Sequence, residues 1–332
     1  MSRQPAGPSV PPPAADGCPE TATRVAAVVL NYRTPGLVID GLPALARDLD
    51  AARDRIVIVD NASGDDSVER IREALRSSAL PAQWRERIEI VEAERNGGFS
   101  AGNNLGVESV RAQAYLLLNS DTIVRQGCVS ALLEALDRDP DVGVLSPRLE
   151  WPDGTPQISC FRFPTPASEL LAGCHTGPVT RLLSRYDVPL PISDAPSYPE
   201  WTSFAAVLIR GEVFDVVGPM DDGFFMYFED VDYCRRARRV GWKVMNLPSA
   251  HVVHLRGGTS PVKRLTAALE RRPGYYYASR ARYLTKAGGA TGLLAANVLW
   301  SVGRAVAFAR ETLGAKPPHT VAHELRDIWC RA

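Results

Sequence analysis

The segment FFMYFEDVDYC, residues 224–234, sets three carboxylates, Glu229, Asp230 and Asp232, directly behind a run of aromatics. A buried acid is costly unless it is paired, coordinated or used in a reaction. Two readings fit. The following CRRARRVGW supplies Arg235, Arg236, Arg238, Arg239 and then Gly241, and acids in a first turn with bases in a last turn describe a helix complementing its own dipole. A carboxylate at a helix start can equally serve as a general base. Two more acids fall where apolar runs stop: RIVIVD ends in Asp60, ahead of Asn61, Ala62 and Ser63, and AYLLLNSD ends in Asn119-Ser120-Asp121. Ligands of open α/β sheets bind beyond the carboxyl ends of strands, so two acids at equivalent ends point to one crevice. Each alone also fits a turn or a helix cap.

Two further stretches belong to the same end of the sheet. HVVHLRGGTS places His251 and His254 near a strand end; three apart, they face opposite sides of the strand. His254 is the crevice candidate, because Gly257 and Gly258 follow it as a flexible loop. ERNGGFSAGNN offers Gly97 and Gly98 for close backbone approach, ahead of a helix starting near Phe99 whose free N–H groups suit a diphosphate. This is neither GxGxxG nor a P-loop, so neither phosphate-binding fingerprint is supported.

The elements that must position these residues alternate. Apolar runs at 25–31, 55–61, 87–93, 114–121 and 142–147 read as strands buried on both faces, with helical stretches between them. That alternation predicts an α/β fold with a mainly parallel central sheet flanked by helices. From Trp151 to Trp201 the pattern dissolves into a proline-rich stretch, expected to be a functional loop or lid. Strand signals resume at 201–209, 243–247 and 251–255, and 263–286 and 290–313 read as a basic C-terminal helical segment. The expected organisation is a disordered leader over 1–22, a main domain over 23–260 with 151–200 as its variable part, and a helical extension over 261–332.

Composition bounds the function. Lys plus Arg and Asp plus Glu are equal at 38 each, so no bulk field recruits nucleic acid. Six scattered cysteines without a CxxC pair argue for a reducing compartment, and the leader lacks the apolar core of a signal peptide. Together these point to a cytoplasmic protein. The apolar stretch 288–309 is interrupted by Arg304 and reads as a helix lying on a membrane or on the protein itself. Lys263, Arg264, Arg271, Arg272, Arg280, Arg282 and Lys286 read either as contacts to anionic head groups on the inner face of the plasma membrane or as a solvated helix face.

The ordered set VVLNY, IVDNAS, NGGFSAGNNLG, LLLNSDT, WTSFAAVLIR, VGPMDDGFFMYFEDVDYCRR and HVVHLRGGTS resembles glycosyltransferase family 2, inverting enzymes with a GT-A fold, and most closely its bacterial rhamnosyltransferase branch of cell-surface polysaccharide synthesis. The resemblance runs from about Val25 to Ser260. It implies a nucleoside-diphosphate sugar donor, with dTDP-rhamnose first among candidates, a glycan or lipid-linked acceptor, and a divalent metal, Mg²⁺ or Mn²⁺. It also implies nucleotide-binding roles for Asn31, Asp60, Asn61, Ser63, Gly98, Phe99, Asn103 and Asn119, with Asp60 accepting from the base. Asp121 and His254 would hold the metal; Asn119 stands where the family's DxD motif has its first acid. Asp230, paired with Glu229, matches the catalytic base. Trp201, Phe225 and Tyr227 suit a sugar or acceptor platform, ordinary core packing being the other reading. Asp232 is expected to face Arg236. Two alternatives stand beside this: a nucleotidyltransferase, which would need a basic phosphate clamp where NYRTPG follows the first strand, and a non-catalytic sugar-nucleotide-binding scaffold.

Overall fold

A computed structural model describes residues 23–77, 80–256, 260–314 and 320–330. The leader expected over 1–22 and the Gly257–Gly258 loop lie outside the described residues. The early alternation is realised in full. Strands β1 (Thr23–Asn31), β2 (Arg55–Asp60), β3 (Ile88–Glu92) and β4 (Ala112–Asn119) are joined by helices α1 (Pro35–Asp48), α2 (Ser67–Ser77) and α3 (Gly98–Ser109). A short β5 (Thr122–Val124), α4 (Cys128–Arg138) and β6 (Val142–Glu150) complete this part. Along β1 both faces are buried. Val25, Ala27 and Val29 join one apolar layer with Leu42 of α1 and Leu132 of α4, while Ala26 and Val28 join the other with Tyr233 and Trp242. A strand covered on both sides has no reason to alternate, and its sequence does not.

The stretch 151–200 is more ordered than its sequence suggests. It holds β7 (Cys160–Phe161), α5 (Pro166–Cys174) and α6 (Gly177–Leu182). Helix α5 opens with a capping box in which Thr165 and Ser168 satisfy each other's backbone N–H. The single strand expected over 201–209 is two. β8 (Trp201–Thr202) pairs with β7 in a separate ribbon, and β9 (Ala206–Arg210) enters the main sheet. The switch is fixed at Thr202, whose hydroxyl bonds the Ser146 hydroxyl and the Ser159 carbonyl. Helices α7 (Gly211–Val217) and α8 (Glu229–Arg239) lead to β10 (Lys243–His254), which joins the two expected late strands across an irregularity between Leu247 and His251. The sheet order is β3-β2-β1-β4-β9-β6-β10-β5, parallel except for β9 and β5.

The C-terminal part comprises α9 (Val262–Ala267), α10 (Gly274–Gly314), broken at Gly289 with φ 68°, and α11 (Glu324–Asp327). α10 lies against α5 with the two backbones nearly touching. A Cβ on Gly173 would stand 2.3 Å from the Trp300 carbonyl oxygen, and one on Gly303 would stand 2.3 Å from that of Leu170. Beside this crossing Arg280 is buried, with Nη2 2.6 Å from Glu169 Oε2 and Nη1 2.7 Å from Asn297 Oδ1.

The basic tail is therefore not a free cationic face. Arg271 pairs with Asp327, Arg272 with Glu324, Arg280 with Glu169, Arg282 with Asp221, and Lys286 with both Asp221 and Asp232. Arg280, Arg282 and Lys286 hold the extension to the domain, and Arg271 and Arg272 tie its two ends together.

Candidate active site

The carboxyl ends of β1, β2 and β4, the start of α3, the loop before α8, the end of β10 and α9 enclose a cavity of roughly 970 Å³. Asn61, Gly98, Phe99, Asn119, Asp121, Phe225, Tyr227, Glu229, Asp230 and His254 all line it. Five other expected residues do not. Asn31, Asp60 and Ser63 form a closed network one layer below. The parallel register sets Asn31 opposite Asp60, and Asp60 takes bonds from Asn31 Nδ2 at 2.7 Å, Ser63 Oγ at 2.6 Å and Ser63 N at 3.0 Å. Asn103 is buried inside α3 with Nδ2 on the Phe99 carbonyl. Trp201, expected as a sugar platform, instead stacks on Phe161 at 4.1 Å and donates its indole N–H to the Arg162 carbonyl. One ring face and the indole N–H are thus taken up by residues 161–162, the ring packs against the apolar clusters beneath it, and Trp201 does not line the cavity.

Where β4 and β10 end, His254 Nε2 lies 3.5 Å from Asp121 Oδ1, both side chains being nearly buried. Two neighbouring ligands of an octahedral ion bound at about 2.1 Å sit about 3 Å apart, so this spacing fits an ion received between them. Among the described residues no group of three or more His, Cys, Asp or Glu side chains converges. A Mg²⁺-type ion, which keeps waters and substrate phosphates in its shell, needs no more than such a pair. His251 points elsewhere and pairs through Nδ1 with Glu150 at 2.8 Å.

Sequence reasoning missed the cationic side of the cavity. Arg256 adopts φ 58°, lies over the Trp151 ring at 5.2 Å and donates Nε to Gln157 Oε1. Gln157 also donates to the His254 carbonyl at 2.7 Å, tying the 151–160 segment to the end of β10. Lys263, on α9, lines the same wall, and burial followed by the Arg256 charge pushes its ammonium pKa down. Arg264 and Tyr275 complete that wall. Lys263 and Arg264, read from sequence either as head-group contacts or as a solvated helix face, line the cavity. Arg256 directly follows the HVVHL motif, so its proximity was readable; that α9 folds back over the site was not.

The helix start at Phe99 also differs from expectation. Gly98 N–H donates to Asn96 Oδ1 at 2.9 Å and Phe99 N–H to the Phe225 carbonyl at 2.7 Å, so these donors are not open to a diphosphate. Gly98 has φ 84°, and a Cβ there would fall 2.0 Å from the Phe225 oxygen. Its smallness admits the backbone of the 224–228 loop. Gly98→Ala should therefore destabilise by more than about 1 kcal/mol and displace residues 224–228. Urea denaturation would show it, and unchanged stability would refute the contact.

That loop is held at several points. Asn104 bonds both backbone groups of Met220, Ser279 Oγ donates to the Met226 carbonyl at 3.0 Å, and Tyr227 Oη lies 2.7 Å from Ser260 Oγ. Tyr227 and Phe228 are consecutive left-handed residues with φ 71° and 68°, a costly conformation for aromatics. Rings of Tyr276 and Tyr283 pack against Phe228 and hold it. The turn delivers Glu229 and Asp230 to the cavity as α8 begins. Asp232 faces Arg236 at 3.0 Å as expected.

Glu229 and Asp230 share a desolvated setting. Burial pushes the Asp230 carboxyl up to about 7, against bonds from the Val231 and Phe204 backbone that favour its charge. Burial and then the Asp230 charge push Glu229 well above the usual carboxylate range, and Glu229 Oε2 has no hydrogen-bond partner. Asp230 thus stands in the first turn of α8 and lines the cavity at once, so its place at the helix start does not remove it from the site.

Residues 29–164 match the family model for glycosyl transferase family 2. The chain is 32% identical over 161 residues to the N-acetylglucosaminyl-diphospho-decaprenol L-rhamnosyltransferase of Mycobacterium tuberculosis, covering 46% of this chain and 51% of that one. It is 24% identical over 184 residues to a low-salt glycan biosynthesis hexosyltransferase of Haloferax volcanii, covering 54% and 56%. The chain thus spans about half the length of these curated relatives. Among solved structures, the mannosyltransferase of Pyrobaculum calidifontis in complex with GDP-Man and Mn²⁺ superposes with a TM-score of 0.54 at 15% identity, over 90% of this chain and 78% of that one. GalNAc-T7 with UDP, GalNAc and Mn²⁺ gives 0.55 at 13% identity, over 82% and 52%. Residues 29–164 are thus similar in sequence to glycosyl transferase family 2, and the chain folds as the GT-A enzymes do.

Proposed function

We propose that this protein moves a sugar from a nucleoside-diphosphate donor to a glycan or lipid-linked acceptor, inverting the anomeric carbon. One observation carries the reading: Asp121 and His254, 3.5 Å apart, open onto the same cavity as the Glu229–Asp230 pair. In the reaction the acceptor hydroxyl oxygen attacks the anomeric carbon as its proton passes to the Asp230 carboxylate. The bond from that carbon to the diphosphate oxygen breaks in the same step and the diphosphate leaves with the electron pair, so no covalent nucleophile is needed. Arg256 and Lys263 meet the charge of the departing diphosphate, and Asn61, Asn119 and Phe99 line the nucleotide end. Asp121 and His254 would hold Mg²⁺ or Mn²⁺, which supplies further charge neutralisation at the diphosphate when bound. Glu229, kept protonated, lets Asp230 carry the single negative charge of the pair. Similarity to a rhamnosyltransferase acting on a polyprenyl-diphosphate-linked sugar favours L-rhamnose from dTDP-rhamnose and a lipid-linked acceptor.

Purified protein should bind a nucleoside diphosphate and release it from one of dTDP-rhamnose, UDP-glucose, UDP-galactose or GDP-mannose in a Mn²⁺- or Mg²⁺-dependent manner. Failure to bind any nucleoside diphosphate would sink the reading. The pH profile is a second test. A base must be ionised, so kcat should fall about tenfold per unit as pH drops below about 7. An acid limb near 4, where an ordinary aspartate titrates, would name a different base.

A further inference from the structure

We propose that the exposed face of α10 beyond its break at Gly289 docks in the plane of a lipid bilayer by apolar contact; this rests on the acceptor being lipid-linked. Leu294, Val298, Val302, Val306, Phe308 and Leu313 are 40–89% exposed. At 100° per residue, they and the exposed Thr291, Ala295, Ala305, Ala309 and Thr312 fall within about 160° of the helix circumference. Ala296, Asn297, Trp300, Gly303, Arg304 and Ala307, all buried, occupy the opposite side. None of the exposed side chains from 288 to 314 is charged. The two arginines in this half turn inward: Arg304 pairs with Glu311 at 2.7 Å, and Arg310 donates to the Cys174 and His175 carbonyls.

The occupant follows from chemistry and continuity. Protein-docking faces are enriched in Tyr, Trp and Arg with a hydrogen-bonding rim; this face is aliphatic with one Phe and two threonines. The first half of the same helix carries Tyr275 into the cavity wall, so a membrane beneath the second half would present a lipid-held acceptor to the site. The helix is long and apolar enough to cross a membrane by length and composition. To span, it would have to leave α5, breaking the Arg280–Glu169–Asn297 network and carrying Asn297 and Arg304 into hydrocarbon. Lying in the interface breaks nothing. Arg271, Arg272, Arg280, Arg282 and Lys286 are each paired with a carboxylate, and the exposed face itself bears no charge, so the attachment is apolar rather than electrostatic and should not depend on lipid charge or on salt.

Flotation of the full chain with phosphatidylcholine vesicles, with and without one part in about three of phosphatidylglycerol, at about 0.1 M and about 1 M NaCl, tests this. The expected result is co-flotation with both vesicles at both salt concentrations, reduced at least about tenfold in Val298→Glu/Val302→Glu. Nucleoside diphosphate binding should be unchanged in the variant, which shows that it is folded. No flotation of the wild type, or flotation only with the anionic vesicles and lost at high salt, would overturn the proposal. So would a wild-type dimer in light scattering that the double variant makes monomeric, which would assign the face to a second copy. Loss of nucleotide binding by the wild type would be a failure of the transferase reading instead, and flotation is scored independently of it.

Discussion

Asp230→Asn is expected to lower kcat for sugar transfer by about 10²–10⁴-fold while leaving the fold and donor binding near wild type. The amide is nearly isosteric and can accept through its oxygen the same backbone N–H bond from Val231, 2.8 Å in the native protein. What it cannot do is receive the acceptor's proton. Because burial already disfavours the charged carboxylate, the substitution removes a strained ion, and thermal stability should hold or rise. Glu229→Gln should be milder, since that carboxyl is read as the protonated member of the pair. Transfer by Asp230→Asn within about threefold of wild type would assign proton removal to another group. Equal losses in kcat and in donor affinity would mean that Asp230 binds rather than reacts.

Arg280→Met should cost about 3–5 kcal/mol of stability. Its guanidinium makes three bonds in a dry setting, two to Glu169 Oε2 and one to Asn297 Oδ1. Truncation leaves a carboxylate buried between α5 and α10 with no counter-charge, and most of the cost is that stranded charge. Arg280→Met combined with Glu169→Leu should recover much of the loss, because an ion pair replaced by packed apolar side chains is often neutral. Urea titration of the single and double variants would decide. If both fall equally, the contribution is packing and hydrogen bonding to Asn297, and the charge account is wrong.

The sheet was readable because strands covered on both faces are written as unbroken apolar runs, as VAAVVL and RIVIV are. The acids at their ends were readable for the same reason: polarity begins where burial stops. Trp201 was misread because nothing local reveals that Phe161, forty residues earlier in the chain, will cover its ring. Gly98 was misread more instructively. Its sequence signature, a glycine before a helix, is the same whether a phosphate or a neighbouring loop approaches, and only the position of Phe225 separates the two. The pairing of Arg271, Arg280, Arg282 and Lys286 was invisible because each partner lies on a distant element. Charge counts from sequence describe a side chain's potential contacts, and tertiary structure decides whether solvent ever meets it.

The place of β9 has a consequence for synthesis. β6 has β9 and β10 as its sheet neighbours, and both follow it in the chain. When VGVL of β6 leaves the ribosome, the β3-β2-β1-β4 half can already assemble, yet β6 has no edge to join until β9 arrives roughly 55 residues later. At about 5–20 residues per second that wait lasts several seconds. During it an apolar strand and the open edge of β4 are both exposed on the nascent chain. Chaperone demand and aggregation on overexpression should therefore concentrate on that interval, and slowing translation between residues 150 and 206 should worsen the yield of soluble protein.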